Sequence, residues 1–183
     1  MPFFVASRRM SPQNIYKRFG DVLIHDVTSH GPDPWIRFSP FYPHGNIPVP
    51  FAPEHTAMSV EGIWQGLKVF ETTDVDPAKL AITTMKHIKR SARRFGAVLG
   101  HRAGLDGDRL LAYEEARRMI YLPSYRWVLE HCLQQELNAL LRLGELQTVV
   151  LLDYETNGDI SNLSRPLSHA TLIVAYLNGT WPQ

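Results

Sequence analysis

The residues whose types and spacing best suit chemistry are Glu61, Gln65 and Lys68. On an α-helix the spacing i, i+4, i+7 puts all three on one face within two turns. A carboxylate, an amide and an amine placed that way can protonate a leaving group, orient a polar ring and supply a nucleophile. The same spacing also describes a solvated Glu–Gln–Lys ladder worth about 0.2–0.5 kcal/mol per pair. Spacing alone does not separate the two.

A basic run, Lys86, Lys89, Arg90, Arg93 and Arg94, continues to His101 and Arg102. At i, i+3, i+4 spacing the first five would share a helical face. That face would suit the phosphates of a nucleotide or nucleic acid, or would simply meet solvent. Asp153 ends an apolar run and is expected to be partly buried; strand ends often carry functional carboxylates. The polar stretch after it, through Asn157-Gly158 and Asp159, equally reads as a turn with Asx capping. No GxGxxG, P-loop or HExxH motif occurs, and the eight histidines lack metal-ligand spacing. No metal and no cofactor are expected. His131 and Cys132 are adjacent on a helix and point apart, which argues against a Cys/His catalytic pair.

The elements that must position these residues follow from patterning. Ser59–Phe70 reads as a helix, with Ser59 as N-cap and Val60, Ile63, Trp64, Leu67 and Phe70 at helical spacing. Gly62 and Gly66 each cost a helix up to about 1 kcal/mol, so close approach of a ligand or another backbone is expected there. Upstream, residues 31–55 hold seven of the thirteen prolines, interleaved with Trp35, Phe38, Phe41, Tyr42 and Phe51. A helix is excluded, and a rigid aromatic loop is expected, either covering the core or walling a pocket. Strands are expected over 21–28 and 148–154. Helices are expected from Asp76-Pro77 through the basic run to Gly96, over 108–121, over 124–142 with Gly144 as its stop, and from Pro166 to 177.

The whole reads as α+β, helix-dominated with a few short strands, and as one domain over residues 1–183. Hydrophobic residues make up 44% and charged residues 20%, which excludes a disordered chain. A net charge of +1 excludes a globally polyanion-binding surface. The one cysteine, Cys132, rules out a disulfide within the chain and favours a reducing compartment. No apolar run approaches a membrane span, and the apolar N-terminal piece precedes its arginines, the reverse of a secretory leader. A cytoplasmic location without membrane partners is expected.

With these residues in place, two segments resemble the NADAR (NAD- and ADP-ribose-associated) superfamily. They are Phe38-Ser-Pro-Phe-Tyr-Pro and Ser59-Val-Glu-Gly-Ile-Trp-Gln-Gly-Leu-Lys-Val-Phe. They match a Phe-Ser-x-Phe-Tyr-like opening and a Ser-x-Glu-x-x-x-Gln-x-x-Lys-Phe-like helix. The ending Leu140-Leu-Arg-Leu-Gly144 is similar to a later family helix. The closing Asp-x-x-Trp-Gly-like motif is replaced by Asp153-Tyr-Glu-Thr-Asn-Gly158-Asp159, which marks a divergent branch.

The resemblance implies a NADAR-like fold and cleavage of an N-glycosidic bond to ribose. The implied substrate is a ribosylated or ADP-ribosylated small molecule, or ADP-ribosylated guanine in nucleic acid. Lys68 is implied as nucleophile, Glu61 as proton shuttle, Gln65 as orienting group and Asp153 as a further carboxylate. Phe38, Ser39, Phe41 and Tyr42 would hold sugar or base, and Arg37, Arg90 or Arg94 would take phosphate. The alternative is a non-catalytic ADP-ribose or nucleotide-binding module.

Overall fold

A computed structural model describes residues 3–182. The protein is mixed α+β, with more helix than strand. In chain order the first elements are β1 (Phe3–Ser7), α1 (Pro12–Phe19), β2 (Leu23–Asp26), β3 (Ile47–Val49), β4 (Ala52–Ala57), α2 (Val60–Gly66) and β5 (Lys68–Phe70). They are followed by α3 (Ala92–Phe95), β6 (Val98–Arg102), β7 (Leu110–Leu111), α4 (Tyr113–Ala116), α5 (Leu122–Cys132), α6 (Gln134–Leu146), β8 (Val149–Asp153) and α7 (His169–Leu177). The described residues group into two compact units, one formed by both ends of the chain and one by residues 40–132.

The terminal unit is a three-stranded parallel sheet in the order β1-β8-β2. Its central strand, β8, is the apolar run Val-Val-Leu-Leu-Asp, buried at four of five positions. A strand covered on both faces needs no polar alternation, which is why this run is continuous. Ser11 caps α1, Pro12 opens it and Gly20 closes it. The helix then buries Ile15 among Ala6, Val22 and Val150. The helix expected over 124–142 is two helices, α5 and α6, broken at Leu133. The second runs past Gly144, where a side chain would strike the Phe3 ring at 2.5 Å. That glycine therefore serves packing and does not stop the helix.

The second unit carries the hairpin β3–β4 and the antiparallel sheet β5-β6-β7. The proline-rich segment is thus not all loop. Pro48 sits in β3, in a two-stranded sheet with an irregular register after it, where its missing N–H is tolerated. Residues 113–132 are helical throughout, with a π turn at Arg117–Tyr121 immediately before Pro123. The helical ladder changes register where proline leaves out a donor, so Pro123 does not end the helix as expected. Helix α2 packs against this helical stretch and against β4. Among the described residues no helix is long and apolar enough to cross a membrane.

Candidate active site

The site is built on α2 and the strand that follows it, not on one long helix. Ser59 caps α2 by accepting from the Gly62 N–H at 3.0 Å. The helix ends at Gly66, Leu67 caps its C-terminus, and residues 68–70 form β5. The expected helix Ser59–Phe70 is therefore half its length, and Lys68 does not reach Glu61 by helical periodicity. Gly62 explains why the chain turns here. A Cβ on it would lie 2.8 Å from the Lys79 carbonyl oxygen, so it admits the neighbouring turn Pro77–Lys79. Gly66 faces Leu80 and Asp76 of the same segment. Gly62 makes room for backbone, one of the two expected occupants, and Gly66 chiefly for the Leu80 side chain.

Glu61 is buried, at 8% exposure. The Gln65 side-chain amide donates to its Oε1 at 2.9 Å. Burial raises the Glu61 pKa, against the opposing pull of Gln65 and of the Lys68 and Lys89 charges. Lys68 shows the complementary shift. Burial lowers its pKa, Glu61 opposes this, and the neighbouring Arg90 and Lys89 charges add to it. Among the described residues the Lys68 ammonium has no hydrogen bond and no ion pair within 4 Å. Its one close partner is the Trp64 ring, 5.9 Å from Nζ to centroid.

Pairing of β5 with β6 sets Lys68 directly opposite His101, and opposed residues of a ladder share a face. The His101 ring stacks on Trp64 at 3.8 Å. Burial and the Lys68 charge push its pKa down to about 3, so it is neutral at physiological pH. Tyr113, at the start of α4, and Tyr121, the last residue of the π turn, reach the same indole at 6.0 and 5.7 Å. Trp64, Lys68, His101, Tyr113, Val98 and Leu99 line a cavity of about 390 Å³.

Arg90 belongs to the frame. It is buried, and its guanidinium donates to the carbonyls of Lys68 (2.6 Å), Asp74 (2.7 Å) and Gln65 (3.2 Å). Its amide donates to Gln65 Oε1 at 3.0 Å. It lies over the rings of Phe70 and Phe95. These bonds tie the end of α2 to the start of β5 and fix the Gln65 amide toward Glu61. Arg90 is thus a positioning residue, and the phosphate role expected of it is corrected.

Other expectations are corrected as well. The basic helix does not form: residues 80–91 are irregular, and only the single turn α3 follows. Within 80–91 only Leu80, Ile88 and Arg90 are buried, so the segment has no continuous apolar stripe to pack and helix is left without tertiary support. Arg94 lies on that turn, exposed over the Phe95 ring, and does not line the cavity. Arg37 is ion-paired to the buried Glu136 of α6. Phe38 has no exposure and packs on Trp35, so it cannot stack on a ligand. Ser39 is likewise buried. Phe41 and Tyr42 remain partly exposed. Lys89 sits 5.2 Å over the Phe41 ring, and Tyr42 packs on His44.

Asp153 is fully engaged within the terminal unit. It accepts from the Ser168 hydroxyl at 2.7 Å and from the Ala170 N–H at 3.3 Å, and it pairs with His169 Nδ1 at 2.9 Å. His169 Nε2 donates to the Val27 carbonyl at 2.9 Å. Its other oxygen, Oδ1, accepts from the Tyr154 N–H at 2.7 Å. The carboxylate thus caps α7, pairs with a buried imidazole and serves the frame of this unit, not the cavity beside Lys68.

Sequence reasoning read Lys89 and His101 only as parts of the basic run, Trp64 only as an apolar helix position, and did not single out Tyr113. Trp64 stands between Glu61 and Lys68 and was legible only as an apolar position. His101 and Tyr113 carry no local signal, because strand pairing and the π turn bring them in. One family model, of a family of unknown function (DUF6939), matches residues 7–173. No curated protein and no solved structure matches the chain.

Proposed function

We propose that this chain, which belongs to the DUF6939 family of unknown function, hydrolyses the N-glycosidic bond of a ribosylated or ADP-ribosylated substrate. The observation that carries the reading is the pairing of two opposed, burial-driven pKa shifts. The Lys68 amine is lowered and lacks an ion pair, at the wall of a cavity, and the Glu61 carboxyl beside it is raised. A desolvated amine is a nucleophile, and a carboxyl held toward its neutral form is a proton donor. The NADAR-like motifs at 38–43 and 59–70 support the same assignment, and a cytoplasmic location is proposed with it.

The steps balance as follows. Neutral Lys68 attacks the anomeric carbon, the C–N bond to the base breaks, and Glu61 gives its proton to the departing base nitrogen. The Glu61 carboxylate then takes a proton from the new secondary ammonium. The ring C–O bond breaks, the lysine nitrogen and anomeric carbon form a protonated imine, and Glu61 protonates the freed ring oxygen. Water adds to the imine, releases the sugar as its aldehyde, and returns Lys68 as the amine and Glu61 as the acid. Gln65 holds Glu61 by Oε1 throughout.

Borohydride reduction during turnover of ADP-ribosyl-guanosine tests this. A reduced glycosyl adduct on the peptide containing Lys68, absent in Lys68→Ala, is expected. Hydrolysis by Lys68→Ala at the parent rate overturns the assignment. Calorimetric affinity for ADP-ribose without turnover would instead identify a binding module.

A further inference from the structure

In the form that reacts, Lys68 is neutral and Glu61 keeps its proton, so the pair itself carries no charge. The neighbouring cations keep theirs. Arg90 and Lys89 both act on Lys68, and Lys89 acts on Glu61 as well. Arg90 is compensated. Asp74 and Asp76 face it, and its guanidinium donates to three main-chain carbonyls. Other cations of this unit are also engaged. Arg102 pairs with the Asp74 carboxylate, Lys79 donates to the His87 carbonyl, and the buried Arg117 donates to the Tyr113 hydroxyl at 3.1 Å. Lys89 differs from all of these. Among the described residues its ammonium has no hydrogen bond and no ion pair, and its close partner is the Phe41 ring, 5.2 Å from Nζ to centroid.

The main chain on both sides of this contact is fixed to α2. The Arg90 N–H, one residue after Lys89, donates to Gln65 Oε1 at 3.0 Å, and the Gln65 amide donates to Glu61. The Glu61 N–H donates at 2.8 Å to the carbonyl of Pro40, one residue before Phe41. Lys89 is exposed, so its ammonium is reachable from solution. An ammonium carries three donors, and none of them has an acceptor in the protein. An uncompensated positive charge beside a reacting sugar favours an anionic substrate. The anion that a ribosyl substrate carries is the phosphate on its ribose, and lysine binds phosphate as a point charge.

Resting on the reading of Lys68 and Glu61 as the glycosidase pair, we infer that Lys89 is the phosphate-binding residue of this site. The phosphate on the substrate's ribose docks on its ammonium beside Phe41, and the anomeric carbon of the same ribose meets Lys68. The substrate class is thereby narrowed to N-glycosides of a phosphorylated ribose, whether a monoester or the diphosphate of ADP-ribose.

Calorimetry with ribose 5-phosphate and with ADP-ribose tests this on the parent, Lys89→Met, Lys89→Arg and Lys86→Met. At least one probe should bind the parent and weaken about tenfold or more in Lys89→Met, the size of one lost charge-assisted hydrogen bond. Arginine keeps the charge and should retain affinity within about threefold. Lys86 belongs to the same basic run, and its methionine variant should bind like the parent. All three variants should melt with the parent, since both lysines are exposed. A monoester that binds within about threefold of ADP-ribose places one phosphate on Lys89; binding of ADP-ribose alone places the diphosphate there. Four results overturn the inference: no binding of either probe by the parent, unchanged affinity in Lys89→Met, an equal loss in Lys86→Met, or a lowered melting temperature in Lys89→Met. Because the readout is affinity, it separates from the glycosidase reading. Lys89-dependent binding with no trapped adduct defeats the glycosidase alone. A trapped adduct with binding indifferent to Lys89 defeats the present inference alone.

Discussion

At the scale of single residues, the site is a balance between burial and charge. Burial lowers Lys68 and raises Glu61, and their mutual attraction opposes both shifts. The reaction needs the amine neutral and the carboxyl protonated. Activity should therefore trace a bell in kcat/KM against pH, its two limbs set by the titrations of Lys68 and Glu61. Lys68→Arg should fold but stay inactive at every pH, since a guanidinium does not deprotonate. Activity in that variant would remove Lys68 as nucleophile. Glu61→Gln should lose turnover yet melt higher than the parent at pH 7. The sign follows from linkage. A carboxyl whose folded pKa is raised loses its contribution as pH climbs through that value, so ionised Glu61 is a burden at neutrality. Below the ordinary carboxylate range the advantage should vanish, which melting curves at pH 4 and pH 7 would show.

At the scale of elements, the site depends on a short helix giving way to a strand. Gly62 allows the turn at 77–79 to approach, and Arg90 staples the junction. Gly62→Ala should cost about 1–3 kcal/mol in denaturant unfolding, because its Cβ meets main chain that cannot rotate away. Arg90→Lys keeps the charge but cannot span three carbonyls. It should lower both stability and kcat while leaving KM for ribosylated substrates near the parent value. A rise in KM confined to phosphate-bearing substrates would restore Arg90 as a phosphate ligand. Helical spacing made the Glu61–Gln65 contact readable, since i, i+4 on a helix is a neighbour relation. Lys68 was grouped with them by a periodicity that stops at Gly66. From the start of β5 its charge still acts on Glu61, while strand pairing sets it opposite His101, a long-range event with no local signature.

At the scale of the whole molecule, each unit has its own buried charged group. In the terminal unit Asp153 and His169 support one another. Against burial, the His169 charge and hydrogen bond, with Ser168 and the Ala170 N–H, hold the Asp153 pKa down, and Asp153 in turn raises that of the imidazole. Asp153, lowered, contributes stability above the ordinary carboxylate range that is lost as pH falls through its depressed value. His169, raised, contributes below the ordinary imidazole range and loses it as pH rises through its elevated value. The urea midpoint should thus be highest between roughly pH 4 and pH 6.5 and decline on both sides. Asp153→Asn with His169→Gln should flatten that curve; an unchanged curve would mean the pair does not titrate with folding.

The sequence by itself determined the fold class, the two strands that are continuous apolar or β-branched runs, and the capped start of α2. It also determined Glu61 and Gln65 as neighbours and the end of α7 before Asn178-Gly179, but not the start of α7 at His169, which Ser168 caps and Pro166 does not open. These rest on interactions within a few residues, which periodicity and capping chemistry report. Tertiary structure alone decided the rest. Phe38, Arg37 and Asp153 turned inward to pack, pair and cap, and Arg90 became a staple and not a phosphate clamp. His101, Trp64 and Tyr113 became a cavity wall around Lys68. The physical reason is the same in each case. A side chain's role follows from which distant backbone or charge lies against it, and strand pairing and helix packing choose that neighbour.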